Sequence, residues 1–193
     1  MKSKNFENGI ETVHKKLKPY YHGSATELTG NSLHPRRQYT HKMDARVNAV
    51  FVTPDIEYAK LFAMRKCISG NGKIRIIYNE KTDKKKMYFE KLSDNITPYF
   101  YIYSVLESAE SPFIHDSGSE YYSLTHVKII NKQKHSLVKE LLKSKCEIYV
   151  MDEPLNDGPI GKHHRIDIKD IISHQSGNGI INTLKTITDF VRY

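Results

Sequence analysis

Three short stretches carry residue types that can do chemistry together. Tyr21-His22-Gly23-Ser24 puts an imidazole at the end of a short apolar segment. The glycine beside it has no side chain, so a ligand can approach the backbone closely there. Val50 to Ala63 strings Phe51, Tyr58 and Phe62 along a strand-turn-helix pattern and so offers flat aromatic faces. Ser119-Glu120-Tyr121-Tyr122-Ser123 sets a carboxylate at the head of a further extended segment. Residues 106–127 around it hold Glu107, Glu110, Asp116 and Glu120 and neither Lys nor Arg. A carboxylate in so acidic a stretch suits a reaction that develops positive charge on its substrate. Each piece also has a plainer reading: His22 as a strand-end histidine, Phe51 and Phe62 as core, Ser24 as a turn former.

The elements that must position these pieces read as follows. Phe6, Ile10, Val13 and Leu17 recur at helical spacing, so the chain opens on a helix that Pro19 ends. Tyr20-Tyr21-His22 is a short strand broken by Gly23-Ser24. Residues 24–48 are polar and carry Arg36, Arg37 and Arg46, which predicts a long basic loop. Ala49 to Thr53 is a buried strand, and Asp55 caps the helix that follows Pro54. Further strands are expected at Lys73–Tyr78, near Met87–Phe89, at Tyr99–Leu106, Val127–Ile130 and Glu147–Met151. His135 to Lys145 reads as an amphipathic helix, and Ile168 to Val191 as two helices around Gly177-Asn-Gly179. The fold class is therefore α+β with a mostly antiparallel sheet, in one domain over 1–193. The motif-bearing core covers about 18–151 and a helical extension about 152–193.

Composition narrows the setting. The 193 residues carry 30 Lys+Arg against 22 Asp+Glu, a formal net charge of +8. That surplus favours an acidic partner: nucleic acid, a phosphorylated ligand or an anionic surface. Five Lys lie in 81–91 and six in 128–145, and their plain reading is a solvated face. No apolar run approaches a membrane span, and the N-terminus lacks the apolar core of a secretory signal. Two cysteines, far apart and in no CxxC, point to a reducing, cytoplasmic compartment and argue against a thiolate metal site. No Walker motif, GxGxxG or nucleophile elbow is present.

The order of the three stretches resembles the ADP-ribosyltransferase superfamily in its His-Tyr-Glu branch, which includes the diphtheria-toxin catalytic domain and the poly-ADP-ribose polymerases. The resemblance covers about residues 20–123. It rests on Tyr21-His-Gly-Ser24, on the strand, turn and alanine-bearing helix of 51–63, and on Glu120-Tyr121. It implies a split antiparallel sheet with flanking helices, and NAD as the substrate with no metal. The activity implied is transfer of ADP-ribose to a protein or nucleic-acid acceptor, as in a toxin or a phage effector. The implied roles are Glu120 at the developing sugar cation, His22 as a donor to a ribose hydroxyl, and Gly23 as a backbone partner of the nicotinamide amide, with Ser24 beside it as a further cofactor-binding residue. Phe51, Tyr58 and Phe62 would hold the nicotinamide ring, and Arg36, Arg37 and Arg46 the pyrophosphate. The sequence departs from the pattern at Phe51 and Phe62, where the family usually has tyrosine; Tyr58, one turn before Phe62, could stand in.

That departure motivates a second expectation, a non-catalytic nucleotide- or nucleic-acid-binding module on the same fold. NAD hydrolysis is a third. A two-histidine phosphoesterase using His22-Gly-Ser24 and His115-Asp-Ser117 is a fourth, although chance alone supplies such triplets in a chain this rich in His, Ser and Thr.

Overall fold

The computed structural model describes residues 18–69, 72–79 and 81–173. The helix expected over 6–17, and the helical stretch expected beyond 173, lie outside these residues. The described chain is α+β and mostly antiparallel. Its strands are β1 (Tyr20–Ser24), β2 (Ser32–Leu33), β3 (Arg36–Thr40), β4 (Ala45–Val52), β5 (Ile74–Asn79), β6 (Lys84–Phe89), β7 (Tyr99–Val105), β8 (Ile114–Ser117), β9 (Glu120–Ser123), β10 (Val127–Ser136), β11 (Glu147–Met151) and β12 (His163–Ile166). Helices α1 (Ile56–Ile68), α2 (Leu137–Ser144) and α3 (Ile168–Ser173) complete it. Among the described residues no helix is long and apolar enough to cross a membrane.

Three four-stranded sheets form, in the orders β1-β7-β10-β2, β12-β11-β6-β5 and β3-β4-β9-β8. β6 and β11 run parallel. The aromatic strand β7 lies between β1 and β10, and its two faces serve two cores. Phe100 and Ile102 face a cluster with Leu61, Met64 and Ile68 of α1, Met87, Phe89 and Leu141. Tyr103 and Val105 face the other way, onto Leu33, Val50, Val52 and Val127. A two-way backbone bridge joins β1 to the end of β4, with Tyr21 N–H donating to Thr53 O at 2.7 Å and Thr53 N–H to Tyr21 O at 3.0 Å. This bridge sets the two imidazole- and aromatic-bearing strands side by side.

Several expectations change. β1 runs through Gly23-Ser24 because Gly23 and Ser24 pair with Ile102 and Tyr101. The expected basic loop 24–48 contains β2 and the β3–β4 hairpin, joined by a turn at His41–Asp44 with Asp44 at φ 46°. Arg-Arg-Gln-Tyr-Thr has no apolar alternation, so hairpin pairing and not local pattern makes it a strand. The strand expected at Val127–Ile130 extends to Ser136. The stretch past 151 is not wholly helical: β12 pairs with β11, and Ile171 of α3 joins the main core.

Candidate functional site

Helix α1 begins where Asp55 Oδ1 accepts the backbone N–H groups of Glu57 at 2.8 Å and Tyr58 at 3.3 Å, as the sequence predicts. Tyr58, Phe62 and Arg65 follow at helical spacing and share one face. The helix lies tightly on β1. A Cβ built on Gly23 would come within 2.1 Å of the Ala59 carbonyl oxygen. Gly23 is therefore glycine because the helix backbone presses on it, and not to admit a ligand. Ala59 and Ala63 serve the same close approach.

These elements enclose a cavity of about 830 Å³. His22, Gly23, Ser24, Arg36, Phe51, Tyr58, Phe62 and Glu120 all line it. Three stretches spread over a hundred residues of sequence thus converge. Arg37 and Arg46 are not on its wall. Along β3, Arg36 and Gln38 reach the wall and Arg37 between them does not; Arg46, paired with Tyr39 near the hairpin tip, does not reach it either. Their assignment to a bound phosphate is corrected accordingly. Arg65 and Lys66, which the sequence reading missed, line the cavity in their place. Helical spacing from Tyr58 and Phe62 was the available signal for Arg65.

His22 donates from Nδ1 to the Phe51 carbonyl at 2.8 Å. Burial lowers its pKa, against the pull of that hydrogen bond, and the Arg36 charge lowers it further. The ring is neutral, and Nε2 is left as an acceptor. The expected role as a donor to a sugar hydroxyl does not suit this arrangement, in which Nε2 is the free acceptor. Ser24 Oγ donates to the Thr26 carbonyl at 2.8 Å and builds the turn after β1.

Glu120 heads β9, whose register with β4 puts Phe51 opposite Tyr122 and so sets Glu120 and Phe51 on one side. Gly118, at φ 53°, makes the tight turn that brings β8 back into β9. Tyr58 Oη donates to Glu120 Oε1 at 3.3 Å. Burial raises the Glu120 pKa, and the Tyr58 hydrogen bond and Arg65 charge only partly offset it. Burial and the Glu120 charge together push the Tyr58 phenol up to about 12. The Arg65 guanidinium stands 3.9 Å over the Phe62 ring, a cation–π contact. Its Nε is buried with no hydrogen-bond partner. Burial lowers the Arg65 pKa in spite of Glu120.

Other groups are less apt for chemistry. Cys67 and Cys146 are buried, and burial pushes their thiols up to about 11 and about 12, so neither is a ready nucleophile. His115 is not on the cavity wall; its Nε2 engages the Gly118 carbonyl at 2.9 Å within the β8–β9 hairpin. The two His-x-Ser triplets therefore do not share the cavity. Among the described residues no group of three or more His, Cys, Asp or Glu is placed to hold a metal ion. Comparison of the chain with family models, with curated proteins and with solved structures gives no match.

Proposed function

We propose that the cavity binds NAD and that the protein is an ADP-ribosyltransferase, its β1–β4 junction being the split of an ADP-ribosyltransferase-like sheet. The observation that carries this reading is the convergence of His22, Phe51, Tyr58, Phe62 and Glu120 on one cavity. Its volume, about 830 Å³, suits a ligand of dinucleotide size. Arg36, Arg65 and Lys66 supply charge for a pyrophosphate, and the unpartnered Arg65 Nε is a donor that a phosphate oxygen would satisfy.

In this reading Phe51 and Tyr58 hold the nicotinamide ring, and Nε2 of His22 accepts from a ribose hydroxyl. Glu120 stabilises the sugar cation as the C1′–nitrogen bond breaks and its electron pair leaves with nicotinamide. The acceptor's nucleophilic atom then bonds to C1′ and gives its proton to Glu120, whose raised pKa suits it to take one. A protein, a nucleic acid or water would complete the reaction.

One observation favours a second reading, retention of the nucleotide without turnover: Arg65 already occupies a face of Phe62. Nicotinamide release from NAD separates the two. Folded protein that releases nicotinamide in the presence of cell extract, with ADP-ribose appearing on a macromolecule, supports the transferase. Calorimetric NAD binding without either product supports the binding module, and absence of binding removes both.

A further inference from the structure

The sheet that carries His22 continues past the cavity into a row of lysines and tyrosines. His22 lies opposite Tyr103, and Tyr103 opposite Lys132; Ser24 lies opposite Tyr101, and Tyr101 opposite Lys134. Directly paired residues of antiparallel strands project to the same face. Lys132 and Lys134 therefore share the cavity's side of the sheet, two strand spacings, or roughly 10 Å, from His22 and Ser24.

A bulge creates this placement. Ile129 pairs with Val105 and Asn131 with Ser104, so Ile130 is an extra residue. Without it every later residue of β10 would slip by one, and Lys132 and Lys134 would turn toward the α1 and α2 core. With it they stay exposed on the cavity side, and His135 turns inward to stack on Phe100, 5.2 Å away. The next tyrosine in the row, Tyr99, is 46% exposed, and Lys134 Nζ stands 4.1 Å from its ring centre. The carboxylate on this side, Glu27, meets Lys132 at 2.6 Å in an ion pair exposed to water on both sides. Such a pair is weak, and a phosphate can take its place.

We propose that this strip binds a single-stranded nucleic acid and leads it to the cavity, so that the strand is the acceptor. Lysines along a backbone path beside an exposed aromatic ring are what single strands use: phosphates meet the cations and a base stacks on the ring. An acidic peptide would use the lysines and leave Tyr99 idle. Lysines on the open edge of β10 also discourage edge pairing, and that role alone would need no tyrosine. Naming the strand as acceptor rests on the transferase reading; the binding itself does not.

The test is fluorescence anisotropy with the full chain and short labelled DNA and RNA single strands, without NAD. Binding is expected to weaken with salt at a log–log slope of about −1.4, as for two lysines on a single strand. The double variant Lys132→Glu/Lys134→Glu should lose at least about tenfold in affinity, and Tyr99→Ala about tenfold through lost stacking. Lys139→Glu/Lys143→Glu on α2 makes the same charge change away from the strip and should bind as wild type; circular dichroism checks that all variants fold. No binding, equal loss in both double variants, an unaffected Tyr99→Ala, or equal competition by polyglutamate would each overturn the proposal. Strand binding without nicotinamide release would defeat the transferase reading and leave the surface standing.

Discussion

Helix α1 carries charge on two sides, and the two are organised in opposite ways. On one side Lys60 meets Glu57 at 2.8 Å and Glu140 of α2 at 3.2 Å. Lys85 of β6 meets Glu57 at 3.3 Å and Asp83 at 2.8 Å. Burial pulls the Lys60 and Lys85 pKa values down, but the carboxylates outweigh it and hold both ammonium groups above their usual values. On the cavity side burial wins instead. Arg65 and His22 fall, Glu120 rises, and Arg65 Nε has no partner. Buried charge alone thus does not mark a site. The paired side ties α1 to its neighbours, and the unpaired side keeps free energy available for a ligand.

Glu120→Gln draws this contrast most sharply. Turnover should fall by about a thousandfold, since the variant cannot stabilise a cation or accept a proton. The melting temperature should hold or rise. Because the folded pKa lies above the unfolded one, the folded protein binds more protons between them, and stability falls as pH rises through that window. At neutral pH glutamine removes a charge that burial disfavours. A drop in melting temperature equal to other buried-pair losses would make Glu120 part of the scaffold and erase the difference between the two sides.

The opposite pattern is expected of Lys60→Met. It breaks two ion pairs at once, yet Glu57 keeps Lys85 and Glu140 keeps His135. Glu57 is also 36% exposed, so the loss should be about 2 kcal/mol, below that of a fully buried pair. It would be read from the urea midpoint at unchanged slope. Nicotinamide release per folded molecule should stay at the wild-type value. A loss of turnover without a loss of stability would show that the paired side also serves the reaction.

The same contrast explains what could be read from the chain. Asp55 and the apolar positions after it announce α1, and residue types with their order announce His22, Phe51, Tyr58, Phe62 and Glu120, because each signal lies within a few neighbours. Arg65 sits one helical turn beyond Phe62 and was legible in principle. The reason for Gly23 was not: it is the Ala59 carbonyl, thirty-six positions on and brought near only by packing. The strand β3 and the second half of β10 are polar and mostly exposed, so nothing in their own pattern distinguishes them from loop. The charge of Arg37 and Arg46 suits them to a phosphate, but which side of a hairpin an arginine takes depends on a register that composition does not carry.

The smallest expected effect tests the contact between the two key groups of the cavity. The Tyr58 phenol, pushed up to about 12, stays protonated through any working pH and so remains a donor to Glu120. That hydrogen bond favours the ionised carboxylate and lowers its pKa against the effect of burial. If turnover needs ionised Glu120, the rate rises with pH along a limb that lies above the usual carboxylate range. Tyr58→Phe removes the hydrogen bond while keeping the ring, so the limb should move to higher pH and the plateau fall by about tenfold or less. A limb that moves to lower pH would mean that Tyr58 stabilises the neutral acid instead. A limb that stays in place would mean that Glu120 is not the group whose ionisation the rate reports, and the unpaired side of α1 would then need another base.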